Sequence, residues 1–320
     1  MGSWCEFAWQ ADGPDRLCAE RQGSTRLDCR VEGGDFTEAP APLTDELVVC
    51  AYNVERGLRL DEQLAAFAHD AEMPTPDVLL ISEADRGCTR SGDRNVAREY
   101  ARALGMYYVY GVEFIELPRM VGPSGRIRTR CEHGNAILSR YPLGNVRAIR
   151  HERTRSWNSP VQRLLRVGQP RFGGRVAVTA DVRIGERLLR VYSVHFESGH
   201  LRFGPRRRDG YRRAQASELI DDVAGLEHGA VIGGDMNVVG FLDSLCDGEA
   251  HEPTTAALAE AGFDDAHATL SPSERVTTDD GLVIDVIVGR GVRFVESGVG
   301  RRDTWGGLSD HLPVWTRLRW

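Results

Sequence analysis

Asn53, Glu83, His195 and Asp235 each follow a short, almost unbroken apolar run, and Asp285 stands inside another. The runs are residues 47–52, 77–82, 189–194, 230–234 and 282–288. A polar group buried at such a place is costly unless it is paired, hydrogen-bonded or metal-bound. Acids, amides and an imidazole recurring there point to one shared site, with the chemistry of a divalent-metal hydrolase. Asn53 and Glu83 offer the oxygen donors that a hard cation such as Mg²⁺ takes. In Gly233-Gly234-Asp235-Met236-Asn237 the glycines permit a tight turn, with an acid and an amide two residues apart at its tip. Asp235 can orient or deprotonate water there, while Asn237 holds a phosphate oxygen. Asp285 needs a partner, and His311 in Ser309-Asp310-His311-Leu312-Pro313 is a fitting one. A carboxylate on one ring nitrogen fixes the imidazole tautomer and raises its basicity. His195 can protonate a leaving oxygen or stabilise transition-state charge. Singly, most of these residues would more often be caps, turns or core hydrogen bonds. Their recurrence carries the reading.

Short continuous apolar runs read as strands buried on both faces. Further strands are expected at 107–115, 136–138, 176–184 and 187–195, the last two joined as a hairpin at Ile184-Gly185-Glu186. Helical spacing marks 58–69, 95–104 closed by Gly105, 211–223, and 254–261 closed by Gly262. Hairpins mixed with crossover helices imply mixed sheets. The segments 120–131, 152–172 and 202–213, rich in Arg, Gly or Pro, are expected to be loops. The arginines of the last form a solvated face or helix start in preference to a phosphate-steering cluster. Residues 1–45 lack periodicity and read as an irregular, cysteine-containing leader, leaving 46–320 as one catalytic domain.

At 320 residues, with 41% hydrophobic and 27% charged content, the chain fits an ordinary globular protein. No run approaches the ~20 apolar residues of a membrane span, and the first residues lack the pattern of a signal peptide. All 40 basic residues are arginine, which excludes a lysine nucleophile, a Schiff base or a lysine phosphate clamp. A net charge of −7 argues against a dedicated basic nucleic-acid-binding module, though not against a nuclease. Of the 7 cysteines, Cys5, Cys18 and Cys29 fall in the leader, and no CxxC pair marks a zinc site. A cytoplasmic location is expected, or secretion if the leader cysteines pair. The chain is expected to be a monomer.

Taken in order, Tyr52-Asn53-Val54-Glu55-Arg56-Gly57, Ile81-Ser82-Glu83, Gly134-Asn135-Ala136-Ile137-Leu138-Ser139-Arg140, Val194-His195, Gly234-Asp235-Met236-Asn237, Ile284-Asp285 and Ser309-Asp310-His311 resemble the endonuclease/exonuclease/phosphatase superfamily. The likeness runs from about Leu47 to Trp320. It implies the deoxyribonuclease I-like fold, an α/β four-layer sandwich of two packed mixed β-sheets flanked by helices. It implies Mg²⁺- or Mn²⁺-dependent cleavage of a phosphate ester, with Asn53 and Glu83 holding the metal and Asp310 assisting. Asp235 would activate water, Asn237 contact the phosphate, Asp285 orient His311, and His195 serve as the second imidazole. His195 departs from the apurinic-site endonuclease branch, which usually carries asparagine there, and the inositol-polyphosphate 5-phosphatase signatures are missing. The substrate class therefore stays open among nucleic acid, a phospholipid head group and a small metabolite. A phosphodiesterase or nuclease is preferred to a sphingomyelinase-type phospholipase or small-molecule phosphatase, and a silent binding protein stands last.

Overall fold

The computed structural model describes residues 31–118, 127, 128, 130–155, 157, 170–198, 206–238 and 252–319, with the backbone alone for 206–209. Two mixed sheets dominate. The first holds β1 (Val31–Asp35), β2 (Glu46–Asn53), β3 (Val78–Arg86), β4 (Tyr107–Glu116), β5 (Cys131–Ser139), β13 (Arg293–Val299) and β14 (Val314–Arg319), in the order β1-β4-β5-β3-β2-β14-β13, with β7 (Arg171–Gly173) also pairing β4. The second holds β6 (Leu143–Arg150), β8 (Val176–Ile184), β9 (Arg187–His195), β10 (Ala230–Asp235), β11 (Asp264–Asp265) and β12 (Asp285–Arg290), in the order β11-β12-β10-β9-β8-β6.

Continuous apolar runs form these strands because both faces of the central strands are covered. Val49 and Ala51 of β2 point between the sheets, against Val191, Val231 and Ile287. Their neighbours Cys50 and Tyr52 point outward to α1 (Leu60–His69) and α2 (Val96–Leu104). On the far side, Tyr192, Val194 and Ile232 pack under α3 (Arg206–Val223) and α4 (Pro253–Glu260). The result is the expected four layers: helices, sheet, sheet, helices. α2 shows how local signals set an element: Asn95 caps it by accepting from the Arg98 N–H, and Gly105 ends it in a left-handed conformation.

Several expectations needed correction. Residues 31–35, inside the stretch read as irregular, form β1 and pair with β4. Two glycines hide the alternation, and Glu32 anchors the strand by accepting from Asn95 and Tyr108. Residues 206–210, expected as loop ahead of the helix at 211–223, belong to α3, whose first turns are too polar for an apolar stripe to show. Residues 171–173, at the end of the 152–172 loop, form β7. β5 starts at Cys131, well before Ala136, because tertiary pairing to β3 and β4 sustains it. Cysteines 5, 18 and 29, residues 202–205 and most of the 120–131 and 152–172 loops lie outside the described residues. No helix of the described residues is long and apolar enough to cross a membrane.

Candidate active site

Strand register brings three of the expected residues together. Asp235 stands opposite His195 on β9 and opposite Asp285 on β12, so one rim of the second sheet ends in three adjacent polar side chains. Asp285 is the first residue of β12 and not its middle, because Leu282–Ile284 belong to the preceding loop. Gly234 makes the rim possible. Its φ is +143°, and a Cβ there would lie 2.1 Å from the Val194 carbonyl oxygen.

The first sheet faces this rim with Asn53, the last residue of β2, and with Glu83. Glu83 does not end its strand as expected. It sits at a β-bulge, where Ser82 and Glu83 together oppose Asn135 of β5, and its φ is +59°. A bulge re-aims a side chain without ending the strand. Glu55, Arg56 and Asn237 also hold positive φ beside the site. Backbone strain of order 1–3 kcal/mol per residue persists only where the surroundings impose it, which is typical of active sites.

Side-chain contacts close the cluster. Asn53 Nδ2 donates to Asp235 Oδ2 at 3.1 Å and lies 3.4 Å from His311 Nε2. His311 Nδ1 is 2.7 Å from Asp285 Oδ2, the anticipated pair. His311 Nε2 lies 3.8 Å from Asp235 Oδ2, and His195 Nε2 lies 3.4 Å from the same oxygen. Asp235 Oδ1 accepts the Asn237 N–H at 3.0 Å, while Asn237 Nδ2 donates to the Phe196 carbonyl at 3.1 Å. Asp310 is exposed, 3.9 Å from His311 Nε2. Ser309 Oγ donates to the Asn53 carbonyl and accepts the His311 N–H, tying the C-terminal segment to β2. All eight expected residues thus fall in one network of contacts.

Burial and charge set the protonation states. Burial pushes the Asp235 carboxyl above its ordinary range, and the nearby His311 and His195 only partly offset this. Burial works against a charged His311, but Asp285 and Asp235 outweigh it and hold the imidazole well above its usual value. Desolvation likewise opposes charge on Glu83, yet Arg56 and the surrounding imidazoles keep it well below the usual carboxylate range.

The oxygen donors fit a hard divalent cation. Glu83 Oε2 is buried without a hydrogen bond, with only the Arg56 guanidinium at 3.3 Å. Asn53 Oδ1 accepts one bond, from the Glu55 N–H at 3.1 Å, and keeps a second lone pair. With the Asp310 carboxylate these make an oxygen set of the kind Mg²⁺ or Mn²⁺ accepts.

Sequence reasoning missed a buried ionic network behind the site. Glu113 pairs with Arg175 at 2.6 Å and lies 3.6 Å from His195 Nδ1. Asp85 accepts from Arg90 at 2.6 and 2.8 Å and contacts His133 Nδ1 at 2.9 Å. Glu113 could have been found by the rule that found Asp285, since it interrupts Tyr107–Ile115. His133 lies before the strand expected at 136–138. Cys88 and Cys131 form a disulfide beside this network.

The sequence matches the Endonuclease/Exonuclease/phosphatase family over residues 50–311, and the chain belongs to that family. Its members are hydrolases of phosphate esters. No curated protein sequence matches significantly. Among solved structures, an endonuclease/exonuclease/phosphatase from Beutenbergia cavernae is 17% identical, with a TM-score of 0.61, over 86% of this chain and 72% of its own. A Neisseria 3′ phosphatase, NExo, bound to a product DNA hairpin is 18% identical, TM-score 0.55, over 86% of this chain and 100% of its own. D. rerio TDP2 complexed with single-strand DNA product is 15% identical, TM-score 0.56, over 87% and 100%. At such identities the likeness establishes the deoxyribonuclease I-like fold.

Proposed function

We propose that this protein is a divalent-metal-dependent phosphodiesterase acting on nucleic acid. The observation that carries the reading is the surroundings of the Asp235 carboxylate: an amide at 3.1 Å and two imidazoles at 3.4 and 3.8 Å, drawn from both sheets. Two solved relatives of the same fold hold DNA products, which supports nucleic acid as the substrate class.

Asn53, Glu83 and Asp310 would hold Mg²⁺ or Mn²⁺. Such a cation supplies Lewis acidity toward a phosphoryl oxygen. Asp235 takes the proton of the attacking water, helped by burial that brings its carboxyl nearer the working pH. Asn53, donating to Asp235, fixes the direction of that carboxylate. His311, cationic through Asp285, stabilises negative charge growing on the phosphoryl group. Asn237 keeps one amide hydrogen for a phosphate oxygen, the other being engaged by Phe196. His195 protonates the leaving oxygen. The Cys88–Cys131 disulfide supports action in an oxidising compartment.

The test is a substrate panel of single-stranded DNA, duplex DNA, bis(p-nitrophenyl) phosphate, p-nitrophenyl phosphate and sphingomyelin vesicles, each with Mg²⁺, Mn²⁺ or Ca²⁺. Diester cleavage should stop with EDTA and return with Mg²⁺ or Mn²⁺, and DNA cleavage should weaken as salt rises. Turnover confined to the monoester or to vesicles would reassign the substrate. A folded protein inert on the whole panel would falsify the hydrolytic reading and favour a binding role.

A further inference from the structure

Glu83, His133 and His195 offer three donor atoms that lie within 4.8 Å of one another. His133 is buried, and its Nδ1 is engaged by Asp85 at 2.9 Å. Its Nε2, also buried, has no hydrogen-bond partner. An orphaned buried polar atom carries its full desolvation penalty, which a purely structural histidine would avoid. His195 Nε2 lies 3.9 Å from Glu83 Oε1 and 3.4 Å from Asp235 Oδ2, while its Nδ1, buried without a hydrogen bond, faces Glu113 Oε2 at 3.6 Å. Each backing acid is itself fixed by an arginine, Asp85 by Arg90 and Glu113 by Arg175. Asp85 on His133 Nδ1 leaves the Nε2 lone pair of that ring free, and His195 brings its Nε2 to 3.9 Å from Glu83 Oε1. Metal-ligating histidines are held in this way.

We propose that Glu83, His133 and His195 form a second cation site, suited to Zn²⁺ or a similar borderline transition ion. Two imidazoles and a carboxylate make a zinc donor set that leaves a fourth position open. It differs from the Asn53, Glu83 and Asp310 oxygens in ligand softness. It rests on the proposed function only in sharing Glu83 and His195. Bonds of about 2.1 Å place tetrahedral ligand atoms about 3.4 Å apart, so binding draws donors that lie within 4.8 Å of one another closer by up to about 1.4 Å. An ion there takes the lone pair of His195 Nε2 and removes that nitrogen from proton transfer. Zinc should therefore inhibit turnover supported by Mg²⁺.

Equilibrium dialysis of the full chain against Zn²⁺, with Mg²⁺ in excess, tests the site. The expected result is one tightly held zinc per chain, weakened at least tenfold in His133→Gln. The Co²⁺-loaded wild-type protein gives a readout that needs no variant to fold. It should show two far-shifted exchangeable ring N–H resonances, one for each Nδ1–H. Unchanged zinc affinity in His133→Gln, or fewer than two such resonances, overturns the proposal. Neither readout uses turnover. Zinc bound to a chain inert on every phosphoester would sink the hydrolase reading alone, while turnover without the zinc signature would sink this one alone.

Discussion

Asp235 and Glu113 are both buried carboxyls, yet their neighbours send them in opposite directions. Asp235 faces no guanidinium at hydrogen-bonding distance among the described residues, and burial raises its pKa. Asp235→Asn keeps the shape and its hydrogen bond to Asn237 but removes the base. Turnover in the diester assay should fall by about 10²–10⁴-fold, with the melting temperature little changed. Burial would also raise Glu113, but the Arg175 charge outweighs it and draws the carboxyl from 4.5 to about 2. Its folded value lies below its unfolded one. The stabilisation is therefore complete above about pH 4.5 and is lost as pH falls toward 2. This amounts to something on the order of 3 kcal/mol. Denaturant melts of Glu113→Gln and wild type between those limits should show a shallower acid limb in the variant. Parallel limbs would assign the acid sensitivity elsewhere.

At the scale of elements, bulges matter as much as strands. The register of β4 against β5 skips Glu113, and that of β3 against β5 sets Ser82 and Glu83 opposite one residue. Both irregularities flank His133 and Asn135 of β5, so both acids turn toward the same place. Gly134 lets the strands close up there, since a Cβ would lie 2.1 Å from the Gly111 carbonyl oxygen. At the opposite rim Gly234 plays the matching part. Gly234→Ala sets a Cβ against Val194 and demands a φ that alanine resists. It should cost more than about 1 kcal/mol in chemical denaturation and lower turnover by displacing Asp235. A variant with wild-type stability and rate would remove the glycine from this account.

Across the whole molecule, the site exists because two sheets pack face to face and end at one rim. The rim of the second sheet supplies Asp235, Asp285 and His195, His311 comes from the segment before β14, and Asn53 and Glu83 reach them from the facing sheet. The disulfide between Cys88 and Cys131 spans 43 residues and joins the segment after β3 to the start of β5. Closing a loop of that length in the unfolded chain stabilises the fold by roughly 2–4 kcal/mol. The double variant Cys88→Ser, Cys131→Ser should melt at a lower temperature. It should also lose more turnover than a surface change of equal cost, since Asp85 and His133 sit on the joined segments. Equal melting in oxidised and reduced wild-type protein would contradict this.

How much could be read in advance follows from how locally each feature is encoded. Buried strands announce themselves as apolar runs, and polar residues recurring where such runs end or are interrupted point to one shared place, so Asn53, His195, Asp235 and Asp285 stand out as a set. Helix ends with their own capping chemistry, such as Asn95 and Gly105, were equally plain. β1, the early part of β5 and the first turns of α3 were not, because partners distant in the chain hold them. The Glu83 bulge, the ring of carboxylates and arginines behind His133 and His195, and the Cys88–Cys131 pairing escaped for the same reason. Distances between side chains far apart in sequence depend on strand register and sheet packing, and no single segment contains that information.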